Sequence, residues 1–162
     1  MSVPVRQTRP TLLQIEAIVG RLKGGPALNE VCRYLRSELA HFDWVGVYRL
    51  EGPELVLAGW DGARPTEHVR IPVDRGLCGR AVRDGVSVVV ADVRESPEYL
   101  ACFLETRSEI VVPVRVNGSI VGEIDVDGRT VGAFDDSDRR LLEEIARRIG
   151  ATIPTTAGAP PA

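Results

Sequence analysis

Two cysteines are the side chains in this sequence best suited to covalent chemistry. Cys78 lies in the stretch DRGLCGRAVRDG, at the predicted first turn of a short helix. The N–H groups and dipole of a helix start favour a thiolate, and Arg75 and Arg80 are close in sequence. Cys102 follows 24 residues later in a long polar crossover. A disulfide between them requires the fold to bring their Cα atoms within roughly 7 Å.

The third cysteine, Cys32, fits a structural role. It lies on the apolar stripe of a predicted helix with Leu28, Val31 and Leu35, where free cysteine packs as a small hydrophobic residue. A zinc site is not expected, because the three cysteines form no CxxC pair and the two histidines are at no ligand spacing from them. For Cys78 taken alone, a packed thiol in a glycine-rich turn remains the alternative.

Acidic side chains alternate along the segment GEIDVD. In a strand, Glu123, Asp125 and Asp127 point to one face, and Ile124 and Val126 point to the other. A solvated strand face is the alternative to a binding role.

The register of the predicted hairpin formed by this segment and the strand before it determines whether Glu109 lies on the same sheet face as Glu123, Asp125 and Asp127. Asn-Gly at 117–118 predicts a two-residue hairpin loop that pairs Val116 with Ser119. That register sets Glu109 opposite Val126, on the wrong side of the sheet. Convergence of Glu109 with the aspartates therefore requires a bulge or an odd-length loop.

Composition narrows the function classes. The 162 residues carry a net charge of −3, with arginines spread rather than clustered, so nucleic acid is not an expected partner. No apolar run reaches the roughly 18 residues that cross a bilayer, and no secretory signal is evident. Three cysteines make no disulfide framework. We expect a cytoplasmic protein with reduced thiols and no membrane association.

The hydrophobic pattern predicts helices at both ends and strands between them. Helices are expected at 11–22, at 28–39, around Cys78 and after a cap at Asp135 or Asp136. The predicted strands are DWVGVYRL, ELVLAGW, HVRIPV, VSVVVADV, EIVVPVRV and SIVGEIDVD. This order predicts an α+β domain with a mostly antiparallel sheet of about five or six strands, terminal helices on one face and loops on the other. The single domain is expected at 11–153, between a flexible segment 1–10 and a disordered tail 154–162.

The order of elements, together with GLCG, SEIVVPV and VGEIDVD, resembles the GAF fold. Within that superfamily the chain is similar to the free methionine-(R)-sulfoxide reductases, from about Trp44 to the C-terminal helix. The matching elements are Cys78 in GLCG, Cys102 after LA, Glu109 seven residues later, and Asp125 with Asp127.

Two positions depart from that family's pattern. The family usually has a third reactive cysteine ten residues before the GxCG cysteine, where this chain has His68. It also usually has an acidic residue directly after the second cysteine, where this chain has Phe103. The first change removes one candidate resolving thiol and the second removes a charge.

The resemblance implies a reaction and its groups. A thiolate would attack the sulfoxide sulfur, and the resulting sulfenic acid would be captured by a second thiol as a disulfide. It suggests Cys102 as the attacking thiol and Cys78 as the resolving thiol, although the sequence leaves the reverse open. Glu109, Asp125 and Asp127 would bind the substrate ammonium, and one protonated carboxyl would act as general acid.

Three aromatic residues lie on the early predicted strands. Trp44, Tyr48 and Trp60 are available to enclose the methylsulfinyl end of the substrate. No cofactor is expected beyond a thiol reductant such as thioredoxin. Amphipathic terminal helices favour a homodimer. The alternative function is a GAF domain without catalysis that senses a small molecule or cyclic nucleotide.

Overall fold

The computed structural model describes residues 5–101 and 103–154. Cys102 and the segment from residue 155, most of the tail expected to be disordered, lie outside the described residues. The helices are α1 (Val5–Arg21), α2 (Gly24–Glu38), α3 (Gly76–Asp84) and α4 (Asp136–Ile149). The strands are β1 (Trp44–Glu51), β2 (Glu54–Gly62), β3 (Arg70–Pro72), β4 (Val88–Val90), β5 (Ser108–Val116) and β6 (Ser119–Gly128).

The six strands form one antiparallel sheet in the order β3-β2-β1-β6-β5-β4. All six predicted strands are present, so the α+β prediction is confirmed. The two long central strands, β1 and β6, are neighbours, which places the acidic segment of β6 in the middle of the sheet. Residues 122–128 of this strand are therefore buried on both faces of the sheet rather than solvated.

Two hydrophobic cores lie on opposite faces of the sheet. Helices α1, α2 and α4 cover one face, where Ile124 and Val126 of β6 pack with Leu28, Leu141 and Ile145. On the other face, α3 and the loops cover a smaller cluster that includes Trp44, Tyr48, Leu77, Cys78 and Val111. The predicted division between helices on one face and loops on the other is confirmed, with α3 added to the loop side.

Helix α1 begins earlier than the sequence pattern indicated. It starts at Val5, inside the segment predicted to be flexible, and it contains Pro10. Proline lacks an N–H group and usually marks the end of a helix, so the pattern suggested a start after it. The Gln7 side chain donates a hydrogen bond to the carbonyl oxygen of Glu38 at the end of α2, which ties the first turns of α1 to the fold.

The β5–β6 hairpin contains a bulge, which is one of the two conditions under which Glu109 can lie on the same face as the aspartates. Val116 pairs with Ser119 around the Asn-Gly loop, but Val114 pairs with Gly122, which leaves Val121 as the extra residue. The shift sets Glu109 opposite Asp127. Gly122 lies against the β1 backbone, where an added Cβ would overlap the Tyr48 carbonyl oxygen. The close approach of the two strands at this point therefore needs glycine.

Candidate active site

Four carboxyl groups are buried on the α3 face of the sheet. Glu123, Asp125 and Asp127 alternate along β6, and Glu109 lies across from Asp127 on β5. None of the four residues is more than 5% exposed. The predicted acidic row is therefore present, and the alternative of a solvated strand face is wrong.

Helix α3 places the thiol of Cys78 over this row. Cys78 lies in the first turn of α3, as predicted, and is buried. One donor atom from each of Cys78, Glu109 and Asp125 lies within 4.8 Å of the others. Such a set can hold a small cation, whether a metal ion or an ammonium group.

Several of the carboxylate oxygens have no hydrogen-bond donor. Within the described part of the chain, both oxygens of Glu123, both of Asp127 and Oδ1 of Asp125 are buried without a partner. Burying an unpaired charge is unfavourable, so these groups call for protons or for a bound cation.

The pKa shifts agree with this arrangement. Burial, followed by the charge of Asp125, raises the pKa values of Glu123 and Asp127 well above the usual range. Burial also raises the pKa of Asp125, while hydrogen bonds with the Glu109 and Cys78 side chains and the nearby His68 act to lower it. Burial therefore favours the protonated form of these carboxyl groups, whereas a bound cation would favour the ionised form.

Aromatic rings form a wall beside the acidic row. Trp44 is buried and pairs along β1 with Asp127, and its ring stacks on Trp60 with centroids 6.3 Å apart. Phe103 lies 6.1 Å from the Trp44 ring. The guanidinium of Arg64 lies 5.3 Å above the Phe103 ring, so this departure from the family pattern packs into the wall.

Tyr48 and His68 tie β1 to the crossover segment. The Tyr48 hydroxyl donates to the main-chain carbonyl of His68 at 2.8 Å. Nε2 of His68 lies 2.9 Å from the Ala101 carbonyl oxygen, and because that oxygen can only accept, Nε2 carries the proton. His68 therefore holds the residue directly before Cys102. Its place in the predicted strand HVRIPV did not suggest this contact.

The space over the thiol is small. A cleft of about 10 Å³ is lined by Cys78, Glu109, Asp125 and neighbouring apolar residues including Leu100. That volume is close to the space one water molecule needs. A larger groove, about 590 Å³, lies elsewhere, beside α4, and its lining residues include no thiol or aromatic side chain. We place the candidate active site at Cys78.

The cysteines occupy different environments. Cys32 is fully buried among the helices, as predicted, and burial raises the pKa of its thiol far above the usual value. Cys78 faces the acidic cleft. Cys102 lies outside the described residues, so its distance from Cys78 stays a prediction.

Sequence reasoning missed three features of the site. Glu123 was visible in the alternating pattern but had no counterpart in the motif that supplied the site residues. The contacts of His68 and Phe103 join segments distant in sequence, and no local signal reveals them.

Comparison with known proteins agrees with the geometry. A sequence profile of the GAF domain matches residues 27–153. This match and the six-stranded sheet define the chain as a GAF domain protein.

Similar proteins narrow the class further. The free methionine-R-sulfoxide reductase of Escherichia coli is 35% identical over 122 residues, covering 75% of this chain and 73% of its relative. The type II enzyme of that name from Thermoplasma acidophilum is 38% identical, covers 88% of this chain and 92% of its own, and has a TM-score of 0.73. The enzyme from Neisseria meningitidis in complex with its substrate is 36% identical, covers 93% and 90%, and has a TM-score of 0.84. The chain belongs to the free methionine-R-sulfoxide reductase family of GAF domain proteins.

Proposed function

We propose that this protein reduces free L-methionine-(R)-sulfoxide to methionine. The observation that carries the proposal is the convergence of Cys78, Glu109 and Asp125 within 4.8 Å on a buried face. A thiol beside Asp125, whose carboxyl pKa is raised by burial, combines a sulfur nucleophile with a proton donor. A sensor pocket has no need of this combination, which favours the enzyme over the sensing alternative.

The reaction proceeds in two thiol steps. The Cys102 thiolate attacks the sulfoxide sulfur while a protonated carboxyl group protonates the oxygen, and the oxygen passes to the enzyme as a Cys102 sulfenic acid while methionine leaves. The Cys78 thiol then attacks the sulfenic sulfur, forming a disulfide and releasing water. A dithiol donor of the thioredoxin type reduces the disulfide and restores both thiols.

The acidic row and the aromatic wall bind opposite ends of the substrate. Glu109, Asp125 and Asp127 bind the ammonium group, which offsets the burial of their charges. Trp44 and Trp60 enclose the methylsulfinyl end, and Tyr48 contributes its ring because its hydroxyl is already bonded to His68. The free ammonium group is the feature that selects the free amino acid over a methionine within a peptide.

The thiol chemistry determines which cellular compartment suits this protein. Turnover needs thiols that are kept reduced, so we propose the cytoplasm as the compartment. No described helix has the length and apolar character to cross a membrane.

We also propose a homodimer formed through the helices, since Leu13 of α1 is 56% exposed on the surface. Sedimentation analysis tests this assembly.

Cysteine variants in a thioredoxin-coupled assay test the function. NADPH consumption is followed with free L-methionine-(R)-sulfoxide for wild type, Cys102→Ser, Cys78→Ser and the matched control Cys32→Ala. We expect turnover in wild type and the control, none in Cys102→Ser, and a halt after one equivalent of methionine in Cys78→Ser.

Two results would contradict parts of this account. A wild-type protein with no turnover and no thiol loss on mixing with substrate refutes the enzyme. A halt after one equivalent in Cys102→Ser, with Cys78→Ser inactive, keeps the enzyme but reverses the roles of the two thiols.

A further inference from the structure

One hydrogen-bond donor beside the acidic row has no acceptor in the fold. The Trp44 side chain is buried, and no described residue accepts a hydrogen bond from its indole Nε1–H. An indole nitrogen can only donate, and burying a donor without an acceptor is unfavourable. A ligand with an acceptor group would offset this cost.

The Nε1 edge of the indole lies next to a small cavity that contains two arginines. The ring lies over Gly62, where an added Cβ would be 3.0 Å from Nε1. Ala63 and Arg64, which follow Gly62, line a cavity of about 20 Å³ together with Trp44 and Arg129. That volume is a little more than one water molecule needs, so the cavity has room for a small polar group. An N–H donor and two guanidinium groups suit a carboxylate.

Two acidic residues also line this cavity, and both are already bonded. Asp43 accepts a hydrogen bond from the main-chain N–H of Arg129 at 2.8 Å. Glu105 accepts from Nη2 of Arg64 with both oxygens, at 2.6 and 2.7 Å. Among the described residues, Nε and Nη1 of Arg64 have no acceptor. Because a guanidinium group carries five N–H donors, Arg64 can bind a second carboxylate without releasing Glu105.

The cavity adjoins the acidic row. Trp44 pairs with Asp127 across β1 and β6, and the main-chain N–H of Asp43 donates to the Asp127 carbonyl oxygen at 3.0 Å. The ammonium and carboxylate groups of an amino acid are attached to the same carbon atom, so their binding sites must be neighbours. An ammonium group bound at Asp127 therefore has its carboxylate beside this cavity.

We propose that Arg64 and the indole N–H of Trp44 bind the α-carboxylate of the substrate, an inference that rests on the proposed function. This contact distinguishes the free amino acid from a methionine at the N-terminus of a peptide, which keeps its ammonium group but has no free carboxylate. The acidic row alone does not make this distinction. The Nε1 edge and the face of the Trp44 ring are different parts of the side chain, so the ring still encloses the methylsulfinyl end.

Two substrates that differ only in the carboxylate isolate this contact. The value of kcat/KM is measured in the thioredoxin-coupled assay for free L-methionine-(R)-sulfoxide and for its amide, which keeps the ammonium and sulfoxide groups. The ratio of the two values is compared among wild type, Arg64→Gln, Arg64→Lys and Trp44→Phe. Because the ratio is compared between proteins, any intrinsic difference between the two substrates cancels.

The matched controls are Arg70→Gln and Trp60→Phe. Arg70 is an exposed arginine that pairs with Glu54, and the Trp60 ring stacks on Trp44. We expect the ratio to fall about tenfold in Arg64→Gln, because a charged hydrogen-bond partner is lost, and by a smaller factor in Arg64→Lys and Trp44→Phe. Arg70→Gln should keep the ratio, and so should Trp60→Phe, which lowers both kcat/KM values together.

Calorimetric titration with L-methionine and L-methioninamide repeats the comparison without a reaction. We expect wild type to bind methionine more tightly than the amide and Arg64→Gln to lose this preference. A wild-type ratio of kcat/KM values in Arg64→Gln would overturn the inference. A wild-type protein that reduces no sulfoxide would instead refute the proposed function, and the binding preference would then decide alone whether Arg64 binds the carboxylate.

Discussion

At the scale of the residue, surroundings decide what an acidic side chain can do. Asp125 and Asp74 have the same carboxyl group, but Asp125 is buried beside the Cys78 thiol whereas Asp74 is exposed. Burial raises the pKa of Asp125, and a bound ammonium would hold it ionised. The same group is exposed to solvent at position 74.

This contrast predicts the effect of removing one charge. Asp125→Asn should raise the KM for free methionine sulfoxide roughly 30-fold or more, because the buried ammonium loses its charged partner. Steady-state kinetics check the value, with Asp74→Asn as the matched control that leaves KM unchanged. An Asp125→Asn protein with a wild-type KM would show that the ammonium is bound elsewhere.

At the scale of the element, the β5–β6 hairpin controls which acids meet. The Asn-Gly loop was predictable because both turn residues tolerate a positive φ, and Asn117 and Gly118 have φ values of 51° and 82°. The bulge at Val121 could be stated only as a condition for convergence. The bulge depends on the contact between Gly122 and the β1 backbone. The sequence of one strand does not indicate which strand lies next to it in the sheet.

A methyl group at Gly122 tests the importance of this contact. Gly122→Ala should lower the free energy of unfolding by about 1–3 kcal/mol, because the Cβ overlaps the Tyr48 carbonyl group and separates β6 from β1. Urea denaturation measures the change. The control Gly20→Ala, at an open position in α1, should raise stability by about 0.5–1 kcal/mol. A neutral Gly122→Ala would mean that the strands do not need this close approach.

Element positions were more predictable than the contacts between them. The six strands and α4 follow from local alternation, turn residues and the Asp135 cap, which accepts hydrogen bonds from Ser137 and Asp138. The early start of α1 depends on a bond from Gln7 to α2, and the His68 contact with Ala101 spans 33 residues. Such long-range contacts leave no periodic signal in the chain.

At the scale of the whole molecule, the sheet separates a stabilising core from a reactive one. The helix face holds the larger apolar cluster, whereas the α3 face holds four buried carboxyl groups, two of which lie beside the Cys78 thiol. The folded state binds more protons than the unfolded chain wherever burial raises a carboxyl pKa. Stability should therefore fall as pH rises from the unfolded pKa, near 4, towards the folded pKa.

The link between proton binding and folding predicts how the stability of an Asp127 variant changes with pH. Asp127→Asn removes a group whose pKa is raised by burial, then by the charges of Asp125 and Asp43. The stability of the variant relative to wild type should increase from pH 4 upward, by at most about 1.4 kcal/mol per pH unit. Urea denaturation at several pH values measures it.

A control with the opposite sign is available on α4. A hydrogen bond from Arg139 lowers the pKa of the exposed Asp136, so Asp136→Asn should lose stability relative to wild type as pH rises through that range. A pH-independent difference for Asp127→Asn would contradict the assignment of its carboxyl group as protonated by burial.

Counting the products of a single turnover tests whether this protein reduces methionine sulfoxide with two thiols. Reduced protein is mixed with excess free L-methionine-(R)-sulfoxide, without reductant, and methionine and free thiols are counted per chain. We expect one methionine, the loss of two thiols and a Cys78–Cys102 disulfide by mass spectrometry, with Cys32 unmodified. No methionine, or methionine formed with all three thiols intact, would contradict it.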